Sequence, residues 1–203
     1  MATRKGVRWI ARRASPVVLL VGAAGGGPQA AQAQQQEMAA EASAQTMMEV
    51  LLEDVREVKQ KLLGLVEAMP AESYDWRPGE GVRSVGEVFR HVTADNYLIP
   101  AFTGVAVPEG VAIQADDYAT VQAFESEGTG KEGMAEALEE SFGHLEAAME
   151  AAGAQDLDRT VRFFGQERSA RSLWVLTTTH LHEHLGQAIA YARSNGVVPP
   201  WSQ

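Results

Sequence analysis

The sequence has 203 residues, 45% hydrophobic and 22% charged, the make-up of a globular chain with room for one domain and short extensions. Its 27 acidic residues outnumber 17 basic ones, and Arg4, Lys5, Arg8, Arg12 and Arg13 all lie within the first 33, so the remainder carries a net charge of −15. Such a surface repels nucleic acid and anionic lipid, and the absence of cysteine excludes disulfides, a lipoprotein anchor and a thiol nucleophile, leaving only nitrogen and oxygen to hold a metal.

Residues 1–33 have the three parts of an export signal in order: the basic stretch, the short apolar run 16–24, and the A-x-A cleavage pattern Ala31-Gln32-Ala33. The apolar run is too short for a permanent span. Cleavage after Ala33 is therefore expected to release a periplasmic or extracellular chain with no membrane span. Arg12-Arg13 hints at twin-arginine export. Residues 34–44, rich in Gln and Ala, read as a linker or a fraying helix start, and 45–203 read as the folded domain.

Four helical stretches follow. In the first, Met48, Leu51, Leu52, Val55, Val58, Leu62, Leu65, Val66 and Met69 recur at spacings of three and four until Pro70. After a Pro- and Gly-punctuated loop, Ser84-Val85-Gly86-Glu87 matches a capping box that opens the second helix. That helix carries Val85, Val88, His91, Val92, Asp95 and Ile99 on one side and is predicted to stop near Pro100. Residues 103–130 are Gly-rich and irregular, with a short helix expected around 118–124. The third helix is expected from about Lys131 to Ala152, with Met134, Leu138, Phe142, Leu145 and Met149 inward. VRFFGQER then reads as a short hairpin or an extended loop, and the fourth helix runs from near Ser172 to the Asn195-Gly196 pair, with Pro199-Pro200 beyond. Four amphipathic helices without a run of strands predict an all-α four-helix bundle, and the long second connection argues against a simple up-down-up-down meander.

The chemistry gathers on the last helix, at HLHEH, residues 180–184. His180 and His184 lie about 40° apart on one face, whereas His182 points roughly the other way. Thr177, Gln187 and Tyr191 extend the same face into a polar strip, which is costly to bury unless it finds partners. Two histidines at i and i+4 can ligate one metal. His91, among apolar residues on the second helix, is the natural third ligand, although a lone histidine on such a face is more often a satisfied core residue. Asp95, one turn on, fits an orienting role, direct ligation or an ordinary hydrogen bond. Glu183 is near enough to serve as a base but reads as a helix-surface acid. His144 falls on the solvent side of the third helix and, with His182, stands outside the candidate site.

WRPGEGVRSVGEVFRHV followed by HLHEHLGQAIAYARSNGVVPPWS resembles the DinB superfamily, in particular its exported branch, over about residues 45–201. The resemblance implies a four-helix bundle with a long crossover, up-down-down-up, and a divalent metal, usually zinc or nickel, on three histidines matching His91, His180 and His184. Gln187 falls at the family's Gln position. Three neutral nitrogens on a divalent metal leave an open position for water or substrate, so a metal-dependent enzyme acting on a small molecule is expected, and a homodimer would accord with the resemblance. Metal-assisted hydrolysis suits an exported protein. The alternatives are a thiol-dependent S-transferase, a non-catalytic metal-binding module with Asp95 or Glu183 closing the coordination, and a plain helical interaction domain with packed histidines.

Overall fold

The structure is a computed structural model that describes residues 28–203. The basic and apolar parts of the expected export signal fall in residues 1–27, outside the described residues. Helix α1 is Pro28–Ala68, and its buried positions, Met48, Val55, Val58, Leu62, Leu65 and Val66 among them, form the predicted stripe. Residues 34–44, expected as a linker or fraying helix start, are helical, and only Ala44 among them is buried.

Helix α2, Val85–Phe102, starts as the capping box dictates: Ser84 Oγ accepts from the Glu87 backbone, and Glu87 accepts from the Ser84 backbone. It runs two residues past Pro100, and Thr103 closes that last turn by donating to the Pro100 carbonyl. Almost every α2 residue up to Pro100 is buried, so α2 is the central helix. Its first turn is pressed against the 127–130 loop so closely that a Cβ on Gly86 would lie 1.7 Å from the Thr129 carbonyl oxygen. Only glycine fits there.

Three further helices follow: α3 (Tyr118–Ser126), α4 (Met134–Ala151) and α5 (Ala170–Ser194). The stretch VRFFGQER is an antiparallel hairpin of β1 (Thr160–Phe163) and β2 (Gln166–Ser169). Its two loop residues, Phe164 and Gly165, both have positive φ (46° and 80°), which is the geometry of a type I′ turn. Ser169 then caps α5 by accepting from the Ser172 backbone.

Side-chain pairs fix the helix directions. Arg56 and Lys59 reach Glu146, and Lys131 reaches the carbonyls of Glu67 and Met69, so α1 and α4 are antiparallel. Asn96 bonds Ser141 while Gly86 touches Thr129, so α2 and α4 are parallel. Asp95 meets His180 and the carbonyl of Arg83 meets Tyr191, so α2 and α5 are antiparallel. The order is up-down-down-up, with the α2-to-α4 crossover carrying α3 along the bundle. One core formed by α1, α2, α4 and α5 includes Val58, Leu62, Phe89, Phe142, Leu145 and Trp174. No helix among the described residues is long and apolar enough to cross a membrane.

Candidate metal centre

The antiparallel contact of α2 with α5 brings His91, His180 and His184 together, each offering a nitrogen within 4.8 Å of the others. The rings stand nearly perpendicular, with centroids 4.4 Å (His180–His184), 4.5 Å (His91–His184) and 5.3 Å (His91–His180) apart. His91 and His184 are buried, and His180 borders an open cleft. The expected trio is therefore one cluster in space.

Hydrogen-bond direction settles which nitrogens face it. The Arg83 carbonyl can only accept, so the Tyr191 hydroxyl donates to it at 3.1 Å. That hydroxyl in turn accepts from Gln187 Nε2 at 3.0 Å, which turns the amide oxygen toward His184 Nδ1, 2.9 Å away. His184 must then carry its proton on Nδ1, leaving Nε2 with a lone pair. This Nε2 is buried and has no hydrogen-bond partner. An unpartnered buried nitrogen costs about 1–3 kcal/mol, and a cation among the three rings would remove that cost. His91 is oriented in the same way, its Nδ1 bonding the Glu125 carboxylate at 2.7 Å, which leaves Nε2 toward the cluster. Thr177, on the same strip, instead bonds back to the Leu173 carbonyl.

Asp95 Oδ2 lies 2.6 Å from His180 Nε2 and 3.1 Å from His91 Nε2. Burial first, and then the neighbouring imidazoles of His91 and His180, push His184 down to about 4. It is thus neutral and available as a ligand near pH 7. Burial opposes charge on His180, but the hydrogen bond and charge of Asp95 outweigh it and raise that pKa. Burial alone would raise Glu125, yet His91 and Arg83 hold it below the usual carboxylate value. A buried, proton-free nitrogen beside two imidazoles and a carboxylate fits a divalent cation.

Glu125 is the residue that sequence reasoning missed. It comes from α3, in a stretch with weak periodicity, and only the crossover brings it to His91 and Arg83. Glu183 is a surface acid, its nearest oxygen 3.9 Å from His180 Nδ1. His182 points away and pairs with Asp54 on α1. His144 corrects the expectation of a solvent-facing side chain: it is half-buried against Tyr97, with its Nε2 enclosed. Helix α4 packs on α1 and α2 together, so its buried arc is wider than its apolar stripe.

A cleft of about 250 Å³ opens beside the cluster. His91, Asp95 and His180 form its polar end, Leu98, Ile99 and Leu176 its walls, and aromatic rings from α3 and the hairpin its mouth.

A DinB superfamily model matches residues 54–188. Among solved structures, a DinB-like protein from Bacillus cereus has 18% identity and a TM-score of 0.60, covering 75% of this chain and 95% of its own. A DinB-like protein from Bacillus subtilis has 19% identity and a TM-score of 0.57, covering 75% of this chain and 96% of its own. YfiT from Bacillus subtilis, described as a probable metal-dependent hydrolase with an unusual four-helix bundle topology, has 20% identity and a TM-score of 0.60, covering 74% of this chain and 89% of its own. No curated protein matches the chain. The chain belongs to the DinB superfamily.

Proposed function

We propose that this DinB-superfamily protein is a metal-dependent hydrolase of a small molecule, with a divalent ion held by His91, His180 and His184. The observation that carries the reading is the buried, unpartnered Nε2 of His184, aimed among two further imidazoles. The bundle shared with YfiT supports it. A ligand set of nitrogens without sulfur suits zinc or nickel. Once bound, the ion supplies Lewis acidity to a substrate oxygen and to water.

The chain's own groups supply the rest. Gln187 and Tyr191 keep the proton of His184 on Nδ1, and Glu125 does the same for His91. Asp95, at the polar end of the cleft, has its Oδ2 2.6 Å from His180 Nε2 and would accept the proton which that nitrogen gives up on binding the ion. The apolar walls exclude bulk water from that end. Thiol transfer has less support, because no Lys or Arg lines the cleft to receive a charged thiol carrier. Residues 1–33 serve as an export signal in this reading, so hydrolysis takes place outside the cytoplasm. A cut after Ala33 removes only exposed turns of α1 among the described residues, and N-terminal sequencing of the secreted form should begin at Gln34.

One observation favours a second reading. Asp95 Oδ2 is close enough to two of the ring nitrogens to act as a fourth ligand, which would make the centre a closed, non-catalytic site. Elemental mass spectrometry of the full chain beside His91→Ala and His184→Ala tests the metal. Near-stoichiometric metal in the parent and none in either variant is expected, whereas equally negligible metal in all three after supplying zinc and nickel would overturn both readings. Asp95→Asn then separates them: activity on ester and amide substrates should fall at least about tenfold with metal retained if Asp95 moves a proton. Loss of metal with no parent activity would instead favour the closed site.

A further inference from the structure

The cleft carries information about the substrate that the metal ligands do not. Neither Lys nor Arg lines it, and the Asp95 carboxylate offsets one of the two charges a divalent ion would bring to its polar end, which leaves too little positive charge there for a phosphate or a polycarboxylate. Its mouth is a cluster of rings packed edge to face, Phe163–Phe164 at 4.6 Å and Tyr118–Phe164 at 5.8 Å between centroids, with Phe102 backing Phe163 at 4.9 Å from outside the cleft. A dry apolar cavity of about 150 Å³ accepts benzene. The 250 Å³ here leaves room for one ring and a small polar group that reaches Asp95 and the histidines.

Phe164 is the odd member of this cluster. It occupies the first loop position of the type I′ turn at φ 46°, a left-handed conformation that favours Asn, Asp or Gly and disfavours a bulky side chain. It is also 54% exposed, so burial in the fold does not explain why a phenyl ring is held there. The turn aims the ring at the cleft, and Tyr118, the other aromatic at the rim, is 46% exposed in the same place. The same two rings also wall an adjoining depression, so they form the partition that limits the cleft.

We propose that the cleft binds substrates built on a single aromatic ring or an equally compact apolar group, with an oxygen-bearing head of at most one negative charge, and that Phe164 sets this preference. The position of the head rests on the metal-dependent reading above; the ring site does not.

Benzohydroxamate and acetohydroxamate share a metal-chelating head and differ by a ring against a methyl group. Titrated into the zinc-loaded full chain, the benzo compound should bind tighter by about tenfold or more. In Phe164→Asn the loop becomes Asn-Gly, the favoured type I′ pair, so the hairpin is retained. There the preference should drop to about twofold or less, with acetohydroxamate affinity unchanged. A parent preference near one, or a preference that Phe164→Asn leaves intact, overturns the proposal. Binding of neither hydroxamate would sink the metal reading alone, and the ring site is then read in the metal-free protein. Benzyl alcohol should shift the NMR signals of Leu98, Leu176 and Phe163, and should cease to do so in Ile99→Trp, which fills the cleft. Absence of those shifts in the parent overturns the ring site.

Discussion

Two histidines in this bundle share one defect and differ in company. His144 on α4 and His184 on α5 each enclose an Nε2 that has no hydrogen-bond partner, and burial lowers the pKa of both. Around His184 stand two more imidazoles and the Asp95 carboxylate, while its Nδ1 is engaged by Gln187. His144 faces the ring of Tyr97, 5.3 Å away between centroids, and among the described residues it belongs to no cluster of metal-ligating side chains. An orphaned nitrogen is therefore not a metal site in itself. It becomes one when its other nitrogen is tied down and further donors converge on the same point.

The sharpest way to break this contrast is to remove each ring in turn. His184→Ala should weaken zinc binding by at least about 100-fold, and His144→Ala should leave it unchanged, as read by competition with a chromogenic chelator. Loss of zinc in both variants would mean that enclosure alone makes the ligand.

Acid should separate the two next. In the metal-free protein, His184 stays neutral down to about pH 4, whereas its unfolded counterpart takes up a proton below the ordinary value of 6.5. The unfolded state binds more protons in that window, so stability falls as pH drops from 6.5 to about 4, by up to about 3 kcal/mol from this group. Denaturant melts of the parent and His184→Gln across that range should converge as pH falls. Parallel curves would remove His184 as a buried neutral base.

Orienting groups should matter less than ligands. Gln187→Leu and Glu125→Gln are each expected to lower zinc affinity by about 10-fold with the fold intact, measured by isothermal titration. No change in either would make the relay a packing detail. The smallest effect belongs to His144→Phe, which replaces an unsatisfied nitrogen by carbon beside an aromatic ring. Thermal stability should stay within about 1 kcal/mol of the parent or rise slightly.

Much of this contrast was legible in the chain, and the illegible part has a common cause. The i, i+4 pair on α5, the capping box that starts α2 and the apolar stripe of α1 are local patterns, and the structure contains each of them. The burial of His144 was not legible, because a helical wheel reports angle around one axis and not which neighbours cover it. Glu125 arrives through a 30-odd-residue crossover whose path no periodicity records. Phe164-Gly165 lacks the usual Asn-Gly signature, so the type I′ turn could not be read from its residues.

The relay from the Arg83 carbonyl through Tyr191 and Gln187 to His184 has a fixed polarity, and its first member immediately precedes the Ser84 cap of α2. Rotate the Gln187 amide by half a turn, so that its oxygen and nitrogen exchange places, and Nδ1 of His184 would have to accept, its proton would move to Nε2, and that nitrogen would no longer offer a lone pair to the cluster. Competence for metal is thus written in proton positions, and it is set only once the start of α2 and the end of α5 have met. Before that meeting the ring is an ordinary imidazole free to carry its proton on either nitrogen. Metal capture becomes a late event that reports on completed assembly of the bundle.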